Sequence, residues 1–400
     1  MEAHALDLVT KWKYIGEGRS SCIFRPLFEP LEGFVLRAPK DIASERDGPL
    51  DFCNVARSFL PERSQSHVPF LEEVEVSADV CLLLHEASDG VRPQFRAKAG
   101  QLPHGAFTGH LLKDLVSDIY GCEDTISIEI KPKVPGPRSA GMCRFCRMQY
   151  YKLSKGQEVR HSKYCPILLY SGKEEHVVRA VEELFEESQN NLRWLPKGQQ
   201  STSQHPPLDF LEKSWFGRSF EHPVSAMGLT AHLTFQKTHI MEDLKQIQEN
   251  LFFPLSTAHC LAEEFVRRKG SFDDFVAWQA PFKGGVKSII EYSRQARAWK
   301  TEDVSRIPLE DLEAALRAYS VLSSFKDCSL ILSFAPINKC TIDVPGVQTV
   351  EVDGKILAFR IGVVDLDYKH PTRIFHYFER ERKIDELVEG VDTSCRWELH

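Results

Sequence analysis

Apolar and polar positions alternate most cleanly from Ile126 to Lys133, in the run I-S-I-E-I-K-P-K. A strand sends successive side chains to opposite faces, so Ile126, Ile128 and Ile130 share one face and Ser127, Glu129 and Lys131 the other. Pro132 lacks a backbone donor and suits a strand end. If the chain stays extended, Lys133 joins Glu129 and Lys131, and the polar face is expected to meet water or an anion. Around this strand the pattern predicts further strands at Phe34–Leu36, across Glu72 to Leu84, at Leu330–Phe334 and at Lys355–Val364. Helical periodicity predicts a helix from Lys173 to Asn190, with a stripe of Val177, Val178, Val181, Leu184 and Phe185. A second helix is predicted from Pro308 to Phe325, with proline in its first turn. Residues 50–70 read as irregular and helical, and 208–302 as mostly helical. Residues 196–207, P-K-G-Q-Q-S-T-S-Q-H-P-P, read as a flexible surface segment.

Several polar residues fall where these elements end. Gly16 and Gly18 lie between two apolar runs, as in a glycine-bearing hairpin whose N–H groups can approach phosphate. Arg37 follows the Phe34–Leu36 strand. Val91 to Lys98 holds three cations, including Arg96. Leu111–Leu115 is a candidate hinge. Asp327 sits in the turn between the second helix and the strand after it. Asp365 and Asp367 emerge where the last strand stops, a position suited to holding Mg²⁺ on nucleotide phosphates. Lys369, Arg373 and Tyr377 recur at four-residue spacing, and would share a face on a helix. Cys143-x-x-Cys146 places two thiolates where one zinc ion could take both, with His161 and Cys165 to complete a tetrahedral set.

Composition narrows the setting. The 400 residues are 42% hydrophobic and 27% charged, with a formal net charge of −7. That length can bury a sizeable core in two lobes. No apolar run approaches a membrane span. The start, M-E-A-H-A-L-D-L, lacks the basic region and apolar core of a secretion signal. Eleven scattered cysteines then point to a reduced compartment, nuclear or cytoplasmic. The acidic balance argues against broad nucleic-acid binding, but leaves room for a compact anion in a locally cationic pocket.

In order along the chain, these pieces resemble the inositol-pentakisphosphate 2-kinase family. The resemblance rests on G-E-G at 16–18, E-I-K-P-K at 129–133, C-R-F-C at 143–146, Y-C-P-x-x-L-Y-S-G at 164–172, Q-N-N-L-R at 189–193, K-D-C-S at 326–329 and D-L-D-x-K at 365–369. It implies an α+β, two-lobed, kinase-like fold. Residues 1–112 would form a small β-rich N-lobe, and residues 113–400 a larger α/β C-lobe with helical insertions that bind inositol phosphate. It implies an ATP- and Mg²⁺-dependent monomer that phosphorylates the 2-hydroxyl of inositol 1,3,4,5,6-pentakisphosphate to give the hexakisphosphate (phytate). Asp327 would be the general base, Asp365 the Mg²⁺ ligand, and Lys131 part of the catalytic set. Gly16, Glu17, Gly18, Arg19, Arg37 and Glu129 would serve the nucleotide. Arg96, Lys131, Lys133, Lys152, Asn190, Arg193, Lys369, Arg373 and Tyr377 would hold the inositol phosphate. Which of Lys131 and Lys133 serves ATP stays open. Five phosphate monoesters carry about −8 to −10 near pH 7, which such a set of cations, joined by Arg144, suits. The chain departs from the family pattern at Tyr368 and His370 in D-L-D-Y-K-H, at Leu168, and at Met148. Those departures leave a catalytically weak inositol phosphate-binding scaffold as the alternative.

Overall fold

The computed structural model describes residues 3–18, 20–41, 52–117, 119, 124–136, 141–157, 160–195, 223–272, 275, 285–337, 348–389 and 395. The flexible segment expected at 196–207, and Arg19, lie outside them.

Two five-stranded sheets organise the chain, and all their pairings are antiparallel. The first contains β1 (Trp12–Glu17), β2 (Ser21–Pro26), β3 (Phe34–Pro39), β4 (Glu72–Val76) and β5 (Phe107–Lys113), in the order β1-β2-β3-β5-β4. The second contains β6 (Ile126–Ile130), β7 (Leu192–Leu195), β8 (Ser329–Pro336), β9 (Thr349–Val352) and β10 (Lys355–Val364), in the order β7-β6-β8-β10-β9. Helices α1 (Phe52–Arg57), α2 (Glu62–Gln65), α3 (Ala78–Ser88) and α4 (Gln94–Ala99) lie between strands of the first sheet in sequence. Helices α5 (Arg144–Ser154), α6 (Pro166–Leu169) and α7 (Glu174–Glu186) separate β6 from β7. Then come α8 (Pro223–Thr238), α9 (Ile240–Asn250), α10 (Leu255–Lys269), α11 (Gly285–Ala298) and α12 (Leu309–Leu322), and finally α13 (Arg373–Val388) after β10.

Each sheet has its own apolar core. Trp12, Phe24, Leu36, Val76, Leu84 and Leu111 belong to the smaller one. The larger gathers Ile126, Ile128 and Ile130 with the helices that follow. Phe52, Phe59 and Val68 pack into the larger core although they precede β4 in sequence. The chain therefore visits the second unit at 52–68, inside the span expected to form the N-lobe. Arg63 and Ser64 fasten it there through the buried carboxylate of Asp243, and the His67 carbonyl accepts from the Val363 amide at 2.8 Å.

Several expectations change. The β-like run Glu72 to Leu84 is a strand only to Val76. Ser77 then caps α3, its hydroxyl accepting from the Val80 amide, and Val80, Cys81, Leu84 and Ser88 are buried at helical spacing. The five apolar residues in a row from Val80 to Leu84 satisfy either period, so the cap decides. The cationic stretch 91–98 is partly helical, as α4. Helix α7 stops at Glu186, four residues short, and Gln189 takes a positive φ of 43°. The candidate hinge is strand through Lys113, paired with both β3 and β4, and the connection to the second sheet starts at Asp114. Only Arg373 and Tyr377 lie on α13; Lys369 precedes it, because Pro371 lies between.

The polar face of β6 is not wet. Ser127 is 1% exposed and shares a hydrogen bond of 2.6 Å with Ser333 on β8, and Glu129 is 9% exposed. An interior strand of an antiparallel sheet with cover on both faces has no solvent side. Nor does the chain stay extended to Lys133, whose φ is +57°.

Candidate functional site

Strand register alone assembles the site. Ile130 pairs with Leu330, and Ser329 with Val364. The residues just beyond those pairs therefore emerge at the same end of the sheet: Lys131 after β6, Asp327 and Cys328 before β8, and Asp365 after β10. Arg193 joins them from β7, opposite Glu129. No single stretch of sequence carries this group: the sheet brings Lys131 to Asp365, 234 positions away, and Lys133 to Asp327, 194 positions away.

The charges at this end alternate. Lys133 Nζ lies 3.1 Å from Asp327 Oδ1. Lys131 Nζ lies 3.1 Å from Asp365 Oδ2 and 3.5 Å from Glu129 Oε1, and Ser329 Oγ donates to Asp365 Oδ2 at 2.9 Å. Arg193 reaches Glu129 at 3.9 Å. Arg37, from the first sheet, donates to Ser21 Oγ at 3.0 Å and meets Asp367 at 3.3 Å. The side chains of Asp327 and Asp365 are 54% and 48% exposed, so these ion pairs contribute only about 0–1 kcal/mol each to stability. Their value lies in keeping acid and cation together at an open edge. Lys133 and Asp365 both have positive φ, and a non-glycine residue there costs about 1–2 kcal/mol. Such local cost gathers where function fixes the backbone.

The electrostatics keep both acids charged. Burial of its surroundings would raise Asp327, but Lys133, Lys369 and Arg144 outweigh it and hold the carboxyl well below the ordinary carboxylate range. Asp365 is lowered in the same way: burial opposes, and Lys131, the Ser329 hydroxyl and Arg37 prevail. For Lys131 burial disfavours the ammonium, yet Asp365 and Glu129 lift it above its usual value.

The remaining expected ligands are spread around this edge. Lys152, near the end of α5, lies 3.4 Å from Gln189 Oε1. Asn190 is exposed just before β7. Arg373 opens α13, and Tyr377, one turn on, lies under the Arg380 guanidinium at 5.3 Å. Arg96 on α4 packs over Phe95. Arg144 is bound to Glu381 of α13, its Nε donating at 2.6 Å.

Glu17 differs from its expected place beside nucleotide. Its side chain is 2% exposed and turned inward, paired with Lys40 and with Arg92 at 2.8 Å. Lys40 also donates to the Gly18 carbonyl at 2.8 Å. The glycine hairpin is thus tied down by a buried triad. Sequence reasoning passed over Lys40 and Arg92, which carry no motif. Two buried cations within reach of one acid beside the first sheet would have been the signal, and that requires the fold.

The cysteines gather as a group of four. Cys143, Cys146 and Cys165 are joined by Cys395, with all four sulfur atoms within 4.8 Å of one another. His161 is not in the group; its ring packs edge-on against Tyr150 at 4.4 Å.

Paired acids and lysines at one sheet edge, a tethered glycine hairpin and an arginine from the first sheet suit the handling of phosphate groups. The comparisons name the family more closely. The family model for inositol-pentakisphosphate 2-kinase matches residues 14–383, and the chain belongs to that family. It is 23% identical over 380 residues to an inositol-pentakisphosphate 2-kinase of Arabidopsis thaliana, spanning 85% of this chain and 79% of that protein. It is 30% identical over 222 residues to one of Danio rerio, spanning 50% of this chain and 45% of that protein. A stretch of 59 residues is 41% identical to part of one from Drosophila melanogaster.

Proposed function

We propose that this chain transfers the γ-phosphoryl group of ATP to the free 2-hydroxyl of inositol 1,3,4,5,6-pentakisphosphate, forming inositol hexakisphosphate. The observation that carries the proposal is the convergence of the Asp327–Lys133 and Asp365–Lys131 pairs at one end of the second sheet. The smaller unit, residues 1–112 without 52–68, would be the nucleotide lobe, and the remainder the inositol phosphate lobe of a kinase-like fold.

In this reading Asp327 accepts a hydrogen bond from the 2-hydroxyl and orients its oxygen toward the γ-phosphorus. As the new P–O bond forms and ADP leaves, the hydroxyl proton passes to the Asp327 carboxylate. Because that carboxylate is a weak base, it takes the proton late, once the oxygen is bonded to phosphorus. That is sufficient where position and charge neutralisation dominate the barrier. Lys133 keeps Asp327 ionised in the free enzyme. Lys131 and Arg37 face the transferring phosphates, while Arg193, Lys152, Lys369 and Arg373 meet the phosphates on the ring. Each charge-assisted hydrogen bond to these groups is worth about 1.5–3 kcal/mol.

Asp365 fits a hard cation. It offers an exposed carboxylate at the mouth of the site, with Asp367 two residues on, and hard oxygen donors are what Mg²⁺ takes. Bound there, Mg²⁺ would neutralise charge on the β- and γ-phosphates.

The test is product analysis by anion-exchange chromatography and ³¹P NMR. Mg·ATP with the 1,3,4,5,6-pentakisphosphate should give hexakisphosphate, and an isomer already phosphorylated at position 2 should take up no further phosphate. Binding of the pentakisphosphate with no transfer would leave the chain a scaffold.

A further inference from the structure

In the turn between α7 and β7, one residue has a backbone that favours glycine and a side chain that only glutamine supplies. The Asn191 amide donates to the Ser188 carbonyl at 2.8 Å, so residues 188–191 close a tight turn. Its second residue, Gln189, has a φ of +43°. Glycine adopts that conformation freely, whereas a residue with a Cβ loses about 1–2 kcal/mol there. Turns with a positive φ at the second position are dominated by glycine, asparagine and aspartate.

The Gln189 side chain accounts for the exception. The residue is 8% exposed, and its Nε2 donates to Gln149 Oε1 at 2.9 Å and to the Arg160 carbonyl at 3.1 Å. Those two acceptors use both Nε2 hydrogens and fix which way the amide faces. Its Oε1 is thereby left to accept from Lys152 Nζ at 3.4 Å. Turning the amide over would set Nε2 against an ammonium group and Oε1 against two oxygens. Gln149 is 2% exposed and lies one turn before Lys152 on α5, so the amide is anchored before it meets the lysine.

The same turn is fastened to the reacting end of the second sheet. The Asn191 carbonyl accepts from the Lys131 amide at 2.8 Å. Asn190 stands exposed in the turn, and Arg193 follows in β7. One buried amide therefore joins the helix that carries Lys152 to the turn that carries Asn190 and leads to Arg193.

Given the substrate proposed above, on which this rests, we infer that Gln189 is a positioning residue for the pentakisphosphate. Its amide oxygen aims the Lys152 ammonium at a ring phosphate, and its amide nitrogen locks α5 to the 188–191 turn. It touches no reacting atom and acts through Lys152. A neutral carbonyl suits that task, because it orients the ammonium without cancelling its charge, whereas a carboxylate would repel the ring phosphates.

Pentakisphosphate affinity, measured by calorimetry without any need for transfer, tests this in wild type, Gln189→Gly, Gln189→Met, Lys152→Met and the two double variants, with urea midpoints to show that each is folded. Glycine relieves the positive φ, so a role confined to the turn backbone would leave affinity unchanged in Gln189→Gly and stability equal or higher. Positioning predicts instead that Gln189→Gly and Gln189→Met both weaken binding by about tenfold, the lower end of what a hydrogen bond to a charged group is worth. In the Lys152→Met background either change should weaken it by less than about twofold, because the group being aimed is gone. In turnover, the KM for pentakisphosphate should rise by the same factor, with kcat and the KM for ATP within about twofold of wild type. Unchanged affinity in Gln189→Gly, or an equal loss with and without Lys152, would overturn the inference alone. Failure of the wild type to bind pentakisphosphate would overturn the proposed substrate and this inference with it.

Discussion

Replacing Glu17 with glutamine tests what holds the glycine hairpin. The substitution preserves shape but removes the negative charge that pairs with both Lys40 and Arg92, whose side chains are 0% and 8% exposed. Two estimates of the cost agree. Burial raises the carboxyl, but Arg92 and Lys40 outweigh it and bring it from an ordinary 4.5 down to about 2. At about 1.4 kcal/mol for each tenfold change in proton affinity, that is about 3 kcal/mol. Removing one partner of a buried ion pair generally costs about 3–5 kcal/mol, because it leaves charge uncompensated. The loss falls on β1, β2 and the Gly18 carbonyl that Lys40 holds. Native-state hydrogen exchange read by mass spectrometry should show peptides across 12–26 exchanging about 100-fold faster in Glu17→Gln, with those of the second sheet little changed. The sign of the pH dependence follows. Because the folded carboxyl lies below its unfolded value, its stabilisation is full above about pH 4.5 and is lost as pH falls toward 2. Wild-type protection of β1 and β2 should decline over that window, and the variant should lack that component. Acceleration below about fivefold would show that the triad is worth no more than a surface pair, and would refute the reasoning.

Two further substitutions probe packing and titration. Gly228 lies where α8 crosses α7, and a Cβ there would stand 2.9 Å from the Val178 Cα and 3.1 Å from its carbonyl oxygen. Gly228→Ala should therefore lower stability by about 1–3 kcal/mol, seen as a lower urea midpoint, even though alanine is the better helix former by about 1 kcal/mol. Lys326, beside Asp327, sits over the rings of Phe252 and Tyr319 at 4.3 and 4.5 Å, and burial, aided by Arg144, pushes it down to about 7. The unfolded chain then holds more protons between about pH 7 and 10.5, so this group makes stability rise with pH across that window. Melting temperatures measured against pH should show a rise in the wild type that Lys326→Met lacks.

How much of this was legible in the sequence depended on range. The ends of β10 and the position of Asp365 followed from local pattern, because a long apolar run that stops at an acid reads the same in any fold. The role of Glu17 did not, since G-E-G looks like a phosphate loop until the distant Lys40 and Arg92 show where its carboxylate points. Cys395 had no spacing relation to Cys143 and Cys146, so His161 stood in for it. The parity argument for Lys131 and Lys133 assumed an extended chain, and a positive φ at Lys133 breaks it. Lys133 nevertheless reaches an acid at the same edge as Lys131, because strand register, not alternation along one strand, sets that meeting.

The central claim is that the Asp327 carboxylate takes part in transfer. Asp327→Asn keeps the size of the side chain and removes the negative charge beside Lys133. Calorimetry should show the pentakisphosphate bound at least as tightly as by the wild type, because a repulsive carboxylate is gone. Single-turnover transfer from Mg·ATP should fall by about 10²–10⁴-fold, the usual worth of a positioned general base. Transfer at the wild-type rate, with binding intact, would contradict the account.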